Sequence, residues 1–270
     1  YTGLQYLRFL SLDGLRAVCD ENIFGILSLP NLHCLRIPST RVTDAGWIAA
    51  KQHLNLIGCS CLPLRELNAS GLGSSLTNSG LSAIVSLFPL LMRLHLRTAH
   101  ITEDIELAVP TLEHLTYLDI TCCQQLYCLP HVFIPPCRVS LAHTGLTEIR
   151  LTHCSMLDLL TVVHQLRGQP IRCLRGFETL DSLNELSLEA YAAAGFPLVE
   201  LNLRPINFDW MVQSPRLLAE ILLLVDPSHL LWLHLPQQPI QREDGDDSLA
   251  VALRHLKRFE HLTSLGMGEQ

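Results

Sequence analysis

Lysine is almost missing from this chain of 270 residues. Lys51 and Lys257 are the only two, so arginine supplies nearly all of the 19 basic residues, which are outnumbered by 26 acidic residues. The formal net charge is −7. A surface that binds nucleic acid needs a stripe of lysine and arginine that neutralises phosphates. The composition therefore predicts no nucleic-acid partner.

Long hydrophobic runs are missing as well. The most apolar window, Leu217–Val225, contains Glu220 and ends at Asp226 and Pro227. A helix that crosses a bilayer needs about 20 apolar residues. The window therefore predicts a buried helix and no membrane insertion. The chain begins at Tyr1 without a basic segment and apolar core of the secretory kind, so we expect an intracellular protein, cytoplasmic or nuclear.

Motifs of catalysis and of metal binding are also lacking. Despite 13 histidines, no GxSxG, HExxH or GxxxxGK[ST] occurs, so we expect no enzyme and no cofactor. Cys59 and Cys61 form one close pair, and a second group comprises Cys122, Cys123, Cys128, His131 and Cys137. Neither group has the spacing of a zinc site. We expect no metal, and reduced cysteines rather than a disulfide framework.

What the sequence does contain is a repeat that ends in the form LxxLxL. Its steps are 25, 32, 27, 24, 31, 25, 27, 32 and 32 residues. The first apolar residue of each closing pair is Leu10, Leu35, Leu67, Leu94, Leu118, Ile149, Leu174, Leu201, Leu233 and Leu265. Such a repeat is typical of a solenoid in which each unit supplies one strand and one return segment. It predicts a single domain over residues 1–270.

The alternation within each run predicts parallel strands, and the remaining residues suffice for helices that cover the other face of the sheet. This is an α/β architecture. Thr43 with Asp44, and Thr77 with Asn78, predict helix starts because such side chains accept hydrogen bonds from the amides of the first turn. After the second start, apolar residues recur at helical spacing: Leu81, Ile84, Val85 and Phe88.

The stretch LNELSL, residues 183–188, could be a strand or part of a helix. It lies too close to Leu201 for another strand and crossover, so we interpret residues 178–195 as a return helix that ends at Gly195 before Pro197. Its predicted buried face comprises Leu180, Leu183, Leu186, Ala190 and Ala194.

Prolines in the stretch between Cys122 and Val139 argue against a full helix there. Cys123 and Cys154 both lie five residues after a strand marker, as do Thr40 and Ala99. A thiol in that position is expected to pack as a small hydrophobe and to donate to loop carbonyls.

Several segments resemble leucine-rich repeat proteins of the ribonuclease-inhibitor-like and cysteine-containing types, the latter common in F-box proteins. They are LTYLDITCCQQL (115–126), LTEIRLTHCSML (146–157), the Thr-Asp-x-Gly of residues 43–46, and AAAGFPLVELNL (192–203). The resemblance implies about ten repeats in a curved horseshoe, with strands on the concave face and helices and irregular loops on the convex face. Ala69 and Met267 depart from the pattern because each replaces a core leucine.

Function is expected on the outward strand positions, which mix charges and aromatics. Opposite charges on neighbouring strands predict the pairs Glu66 with Arg93 and Asp119 with Arg150. Arginine, tyrosine and tryptophan often anchor interfaces. The candidate protein-binding residues are Arg36, Glu66, Arg93, His95, Arg97, Tyr117, Asp119, Arg150, Arg175, Trp232 and His234.

These patterns predict a non-enzymatic scaffold or adaptor subunit that binds other proteins. The alternative is the substrate-recognition domain of an F-box-type ubiquitin ligase, with Skp1 and cullin components as partners. A third possibility is an enzyme with an unrecognised site.

The simplest explanation for the scarcity of lysine is codon usage, and another is avoidance of self-ubiquitination. No capping helix is evident beyond the first or last strand, so we expect part of a longer chain or of a larger assembly.

Overall fold

The computed structural model describes residues 4–58, 62–134, 145–176, 185–202, 222–223, 225–235 and 254–267. Its ten strands form one sheet in chain order, and neighbouring strands are parallel. They are β1 (Phe9–Ser11), β2 (Cys34–Arg36), β3 (Glu66–Asn68), β4 (Arg93–His95), β5 (Tyr117–Asp119), β6 (Glu148–Arg150), β7 (Cys173–Arg175), β8 (Glu200–Asn202), β9 (Trp232–Leu235) and β10 (Ser264–Met267). Every predicted marker lies inside its strand. The chain is an α/β leucine-rich repeat solenoid.

The α-helices with defined bounds are α1 (Asp20–Leu27), α2 (Asp44–Leu56), α3 (Asn78–Leu87), α4 (Leu159–Leu166) and α5 (Glu185–Ala193), and residues 222–223 and 254–255 are also α-helical. Both predicted helix starts are confirmed, since the Thr43 hydroxyl accepts from the Ala45 amide and the Thr77 hydroxyl from the Ser79 amide. Helices α1 and α4 were not predicted. Asp158 caps α4 by accepting from the Thr161 amide at 3.1 Å.

The helical interpretation of residues 178–195 is confirmed from Glu185 onward, and Leu180 and Leu183 lie outside the described residues. The predicted buried face was partly wrong. Leu186 is 68% exposed, whereas Ala190 and Ala194 are half-buried and packed against the core. Tyr191, which was not predicted to be buried, also contacts the core. Gly195 has a φ of +66°, in agreement with a helix stop.

The core lies between the sheet and the return segments. The marker residues from Leu35 to Leu233 are buried, whereas Leu10 is half-buried and Leu265 is 43% exposed. Burial of one such side chain stabilises the fold by about 1.5–3 kcal/mol. The apolar column of the repeat thus holds the stack together through the middle of the sheet.

The helices of the first repeats are tied together by side chains. Asp20 accepts from both the amide and the hydroxyl of Thr43, at 2.7 Å each. One repeat later, Asp44 accepts from the amide of Thr77 at 2.9 Å and from its hydroxyl at 2.5 Å. A Cβ at Gly80 would lie 2.1 Å from the Asp44 carboxylate. The glycine of the Thr-x-x-Gly pattern is therefore required for the carboxylate to approach.

The central repeats are built differently. Among the described residues that connect β4 to β5 and β5 to β6, no α-helix occurs, and the 3₁₀ turn His131–Phe133 is the one helical turn. This agrees with the prediction from the prolines for residues 122–134, and residues 135–139 lie outside the described residues. Cys123 donates to the Leu96 carbonyl at 3.2 Å, and Cys154 donates to the Ile120 carbonyl at 3.0 Å. Burial raises the pKa of Cys154 to about 12 and also raises that of Cys123. The expected packing role of both thiols is confirmed.

A turn with one left-handed residue follows each of the first six strands. The residues lie four positions after the strand markers and have φ between 56° and 73°: Gly14, Ser39, Gly71, Thr98, Cys122 and His153. The Ser39 amide donates to the Ser70 carbonyl at 2.9 Å, and the Gly71 amide donates to the Arg97 carbonyl at 2.8 Å. The turns thus extend the hydrogen-bonded stack beyond the strands.

Candidate binding surface

The outward positions of the ten strands make one continuous surface, which we call the strand face. Each strand presents the residue before and the residue after its buried centre. Ten of the eleven predicted site residues occupy these positions, and Arg97 lies just beyond β4. Exposed side chains among the predicted residues include Arg36 at 43%, Arg93 at 47%, Arg175 at 44% and Trp232 at 43%.

Tyr117 lies at the centre of the strand face and is only 3% exposed. The guanidinium carbons of Arg93 and Arg150 are 4.2 Å and 5.4 Å from its ring centroid. The His95 ring is tilted against it at 4.7 Å. Burial, together with the negative charge of Asp119, raises the pKa of Tyr117. The cations cover the aromatic ring and are held in fixed positions by it.

Asp119 is a buried carboxylate beside this ring. It accepts from the Thr121 amide at 3.1 Å, and its Oδ2 is 3.8 Å from Nδ1 of His95. Burial opposes ionisation, but the donors of His95 and Thr121 outweigh it, so the pKa of Asp119 is lowered. Asp119 is therefore an anion at neutral pH, and its charge is directed at His95 and the loop backbone.

The observed charge pairs differ in part from the predicted ones. Glu66 is 3.8 Å from Arg93 as expected, but its shorter contact is to Arg36 at 2.8 Å. Burial alone would raise the pKa of Glu66, but the hydrogen bond from Arg36 outweighs it. The net effect is a lowered pKa for Glu66.

The predicted pair of Asp119 with Arg150 is wrong. The two residues are opposite each other in register, yet the Arg150 guanidinium binds Glu148 of its own strand at 3.0 Å. Asp119 faces His95 instead. The register fixes which residues are neighbours, and the side-chain torsions then select the partner.

A polar depression of about 480 Å³ opens between the turns and the Tyr117 ring. Its lining includes Ser70, His95, Arg97, Asp119 and Arg150, together with Pro38, Ser39, Asn68, Gly71, Thr98 and Tyr117. The structure thus brings a serine, a histidine and an aspartate to one place. The buried Ser70 hydroxyl has no hydrogen-bond partner among the described residues. Among the described residues, no hydrogen bond therefore joins this hydroxyl to His95 as in an activated serine–histidine pair.

The remaining predicted residues lie elsewhere on the strand face. Arg175 pairs with Glu200 at 2.6 Å on β7 and β8. Trp232 and His234 lie on β9, four strands from the Tyr117 ring on β5. The sequence missed Ser70 and the turn residues of the depression, because a serine after a strand carries no signal of its own. Among the described residues, no three histidine, cysteine or acidic side chains cluster as metal ligands would.

No family model and no curated protein matches this chain. Among solved structures, it is similar to TLR13 in its complex with ssRNA13, with 19% identity and a TM-score of 0.42 over 99% of this chain. The chain spans 40% of the length of that protein. It is also similar to a leucine-rich repeat protein of Leptospira interrogans, with 15% identity and a TM-score of 0.22, covering 98% of this chain and 82% of that one. None of the described helices has the length and apolar character required to cross a bilayer.

Proposed function

We propose that this chain is a non-enzymatic scaffold or adaptor subunit that binds a partner protein through the strand face. One observation carries the proposal: three arginines and a tryptophan on one uninterrupted sheet surface are each more than 40% exposed. These residue types are enriched among the side chains that dominate binding energies.

The same arginines are held in place before any partner arrives. Arg36 is bound by Glu66, Arg175 is bound by Glu200, and Arg93 lies over the Tyr117 ring. A long side chain that is already ordered loses less entropy on association. The strand face is therefore suited to a defined partner.

The F-box-type ubiquitin ligase is a finer version of this proposal. It is supported by the column of buried cysteines, since Cys123 and Cys154 both donate to carbonyls of the preceding repeat and the sequence resembles the cysteine-containing repeats of F-box proteins. Recovery of Skp1 and cullin components with the full-length protein would favour this version. Recovery of a stable set of other subunits would favour the adaptor.

Site-specific photo-crosslinking tests the proposal. Amine-directed reagents are unsuitable because the chain has only two lysines. A photoreactive phenylalanine analogue is instead placed on the strand face at Phe9 or Trp232, and at the exposed Tyr127 or Leu107 of the return segments as controls. We expect a partner protein to be cross-linked from the strand-face positions and not from the controls. Cross-linking from Tyr127 and Leu107 alone would contradict the proposal.

A further inference from the structure

We propose that the depression beside Tyr117 binds a carboxylate of an acidic peptide segment in the partner protein. This inference rests on the proposed function and specifies the chemistry of the partner. The carboxylate would lie between the guanidinium groups of Arg97 and Arg150 and would accept from the Ser70 hydroxyl. Paired arginines are well suited to a planar carboxylate because their donors match its two oxygens.

The charges around the depression favour an anion. Arg36 and Arg150 each have a carboxylate partner, and Arg93 shares Glu66 with Arg36 at the longer distance of 3.8 Å. Arg97 is exposed and makes no ion pair with any described residue. The four arginines therefore exceed the three carboxylates Glu66, Asp119 and Glu148. This excess occurs in a chain whose net charge is −7, so the depression is a locally cationic place on an acidic protein.

Ser70 gives a second and independent indication. The residue is 9% exposed, and its hydroxyl has no partner among the described residues. A buried hydroxyl without a hydrogen bond is destabilising. It lines the depression together with Arg97 and Arg150. A carboxylate oxygen at that position would satisfy the hydroxyl, which nothing in the described fold does.

Asp119 also lines the depression but does not prevent anion binding. Its carboxylate is only 5% exposed and is held by Thr121 and His95. His95 lies between that carboxylate and the Tyr117 ring. The charge of Arg97 lowers the pKa of Asp119, yet Arg97 forms no ion pair with it. The Asp119 carboxylate is thus buried and already hydrogen-bonded, and it leaves the guanidinium of Arg97 able to donate to a further anion.

The test uses the full chain and a short fluorescein-labelled peptide of alternating glutamate and glycine, with glutamine in place of glutamate as the neutral control. Fluorescence anisotropy at low salt measures binding. We expect the glutamate peptide to bind and the glutamine peptide not to bind. Arg97→Gln and Arg150→Gln should each weaken binding about tenfold, because each removes a charge-assisted hydrogen bond. Higher salt should weaken it further.

Arg167→Gln is the matched control. It removes the same charge from the exposed end of α4, away from the strand face and the depression, so we expect less than about a twofold change in affinity. Ser70→Ala is the sharper variant. It should leave the thermal midpoint unchanged or raise it, since it removes an unsatisfied hydroxyl, and should still weaken peptide binding. A purely structural serine would not show this combination.

Three results would overturn the inference: no preference for glutamate over glutamine, an equal loss with Arg167→Gln, or tighter binding of a single-stranded RNA of the same charge. The proposed function can fail separately. If a partner cross-links to Trp232 while Arg97→Gln changes nothing, the scaffold stands and the carboxylate site is wrong. If the peptide binds through Arg97 and no protein cross-links to the strand face, the site stands and the scaffold is wrong.

Discussion

The first three repeats and the two central repeats have the same kind of strand and turn, but the segments that connect one strand to the next differ. In the first three repeats these segments contain α1, α2 and α3, and a carboxylate or amide at each helix start binds the next repeat, as Asp44 binds Thr77. In the central repeats, the described return segments are turns packed by apolar side chains, and the buried thiols of Cys123 and Cys154 link successive loops.

This difference shows which part of the repeat determines the fold. Strand register is unbroken from β4 to β6 even though the described return segments there contain no α-helix. The left-handed turn is also retained, at Thr98 and Cys122. The strand and its turn are therefore the constant part of the unit, and the return segment needs only to cover the core. The Tyr117 ring lies on β5, in the middle of the repeats without helices.

The largest expected effect comes from the constant part. Leu118→Ala removes a fully buried side chain from the central strand, and we expect a loss of about 2–5 kcal/mol in the free energy of unfolding because a cavity remains. The matched control is Leu265→Ala in the same column, where the side chain is 43% exposed, with an expected loss below about 1 kcal/mol. Chemical denaturation measures both. Equal losses would mean that the strand column does not determine stability.

A smaller effect is expected from the links between helices. Asp44→Ala removes both acceptors of Thr77 and the acidic group in the first turn of α2. We expect a loss of about 1–3 kcal/mol. Ser79→Ala, an exposed substitution in the first turn of α3, serves as the control and should change stability by less than about 0.5 kcal/mol. If Asp44→Ala also costs nothing, the helical repeats are held by apolar packing alone, as in the central repeats.

The sequence predicted the constant part well and the variable part less well. All ten strand centres were correct because each requires an apolar residue at a fixed position in a short strand. The starts of α2 and α3 were correct because Thr43 and Thr77 satisfy amides of their own first turn. The buried face of α5 was wrong at Leu186, which is exposed, and it omitted Tyr191, which is buried, because the face that a helix buries also depends on the shape of the neighbouring repeats.

The strand positions of the candidate residues could be predicted, but their contacts could not. Ten of the eleven lie at the strand positions where the alternation placed them, because the face of a strand residue follows from its position alone, and Arg97 lies just beyond β4. Arg150 pairs with Glu148 and not with Asp119. This choice depends on side-chain torsions, which the sequence pattern does not specify. Ser70 was missed for the same reason, since an unsatisfied hydroxyl is a property of packing.

The smallest expected effect concerns the turns, which both regions share. Thr98 is a β-branched residue with a φ of 65°, a conformation that disfavours side chains by about 1–2 kcal/mol. Thr98→Gly removes that strain but increases the entropy of the unfolded chain, so we expect a net gain of about 0.5–1 kcal/mol in thermal or chemical unfolding. Gly71→Ala is the reverse experiment. Its φ is 73° and a new Cβ would lie 2.6 Å from the Ser39 hydroxyl, so we expect a loss. If Thr98→Gly is destabilising instead, the contacts of the threonine side chain stabilise the turn by more than the backbone strain destabilises it. The turns would then not be interchangeable, despite their common geometry.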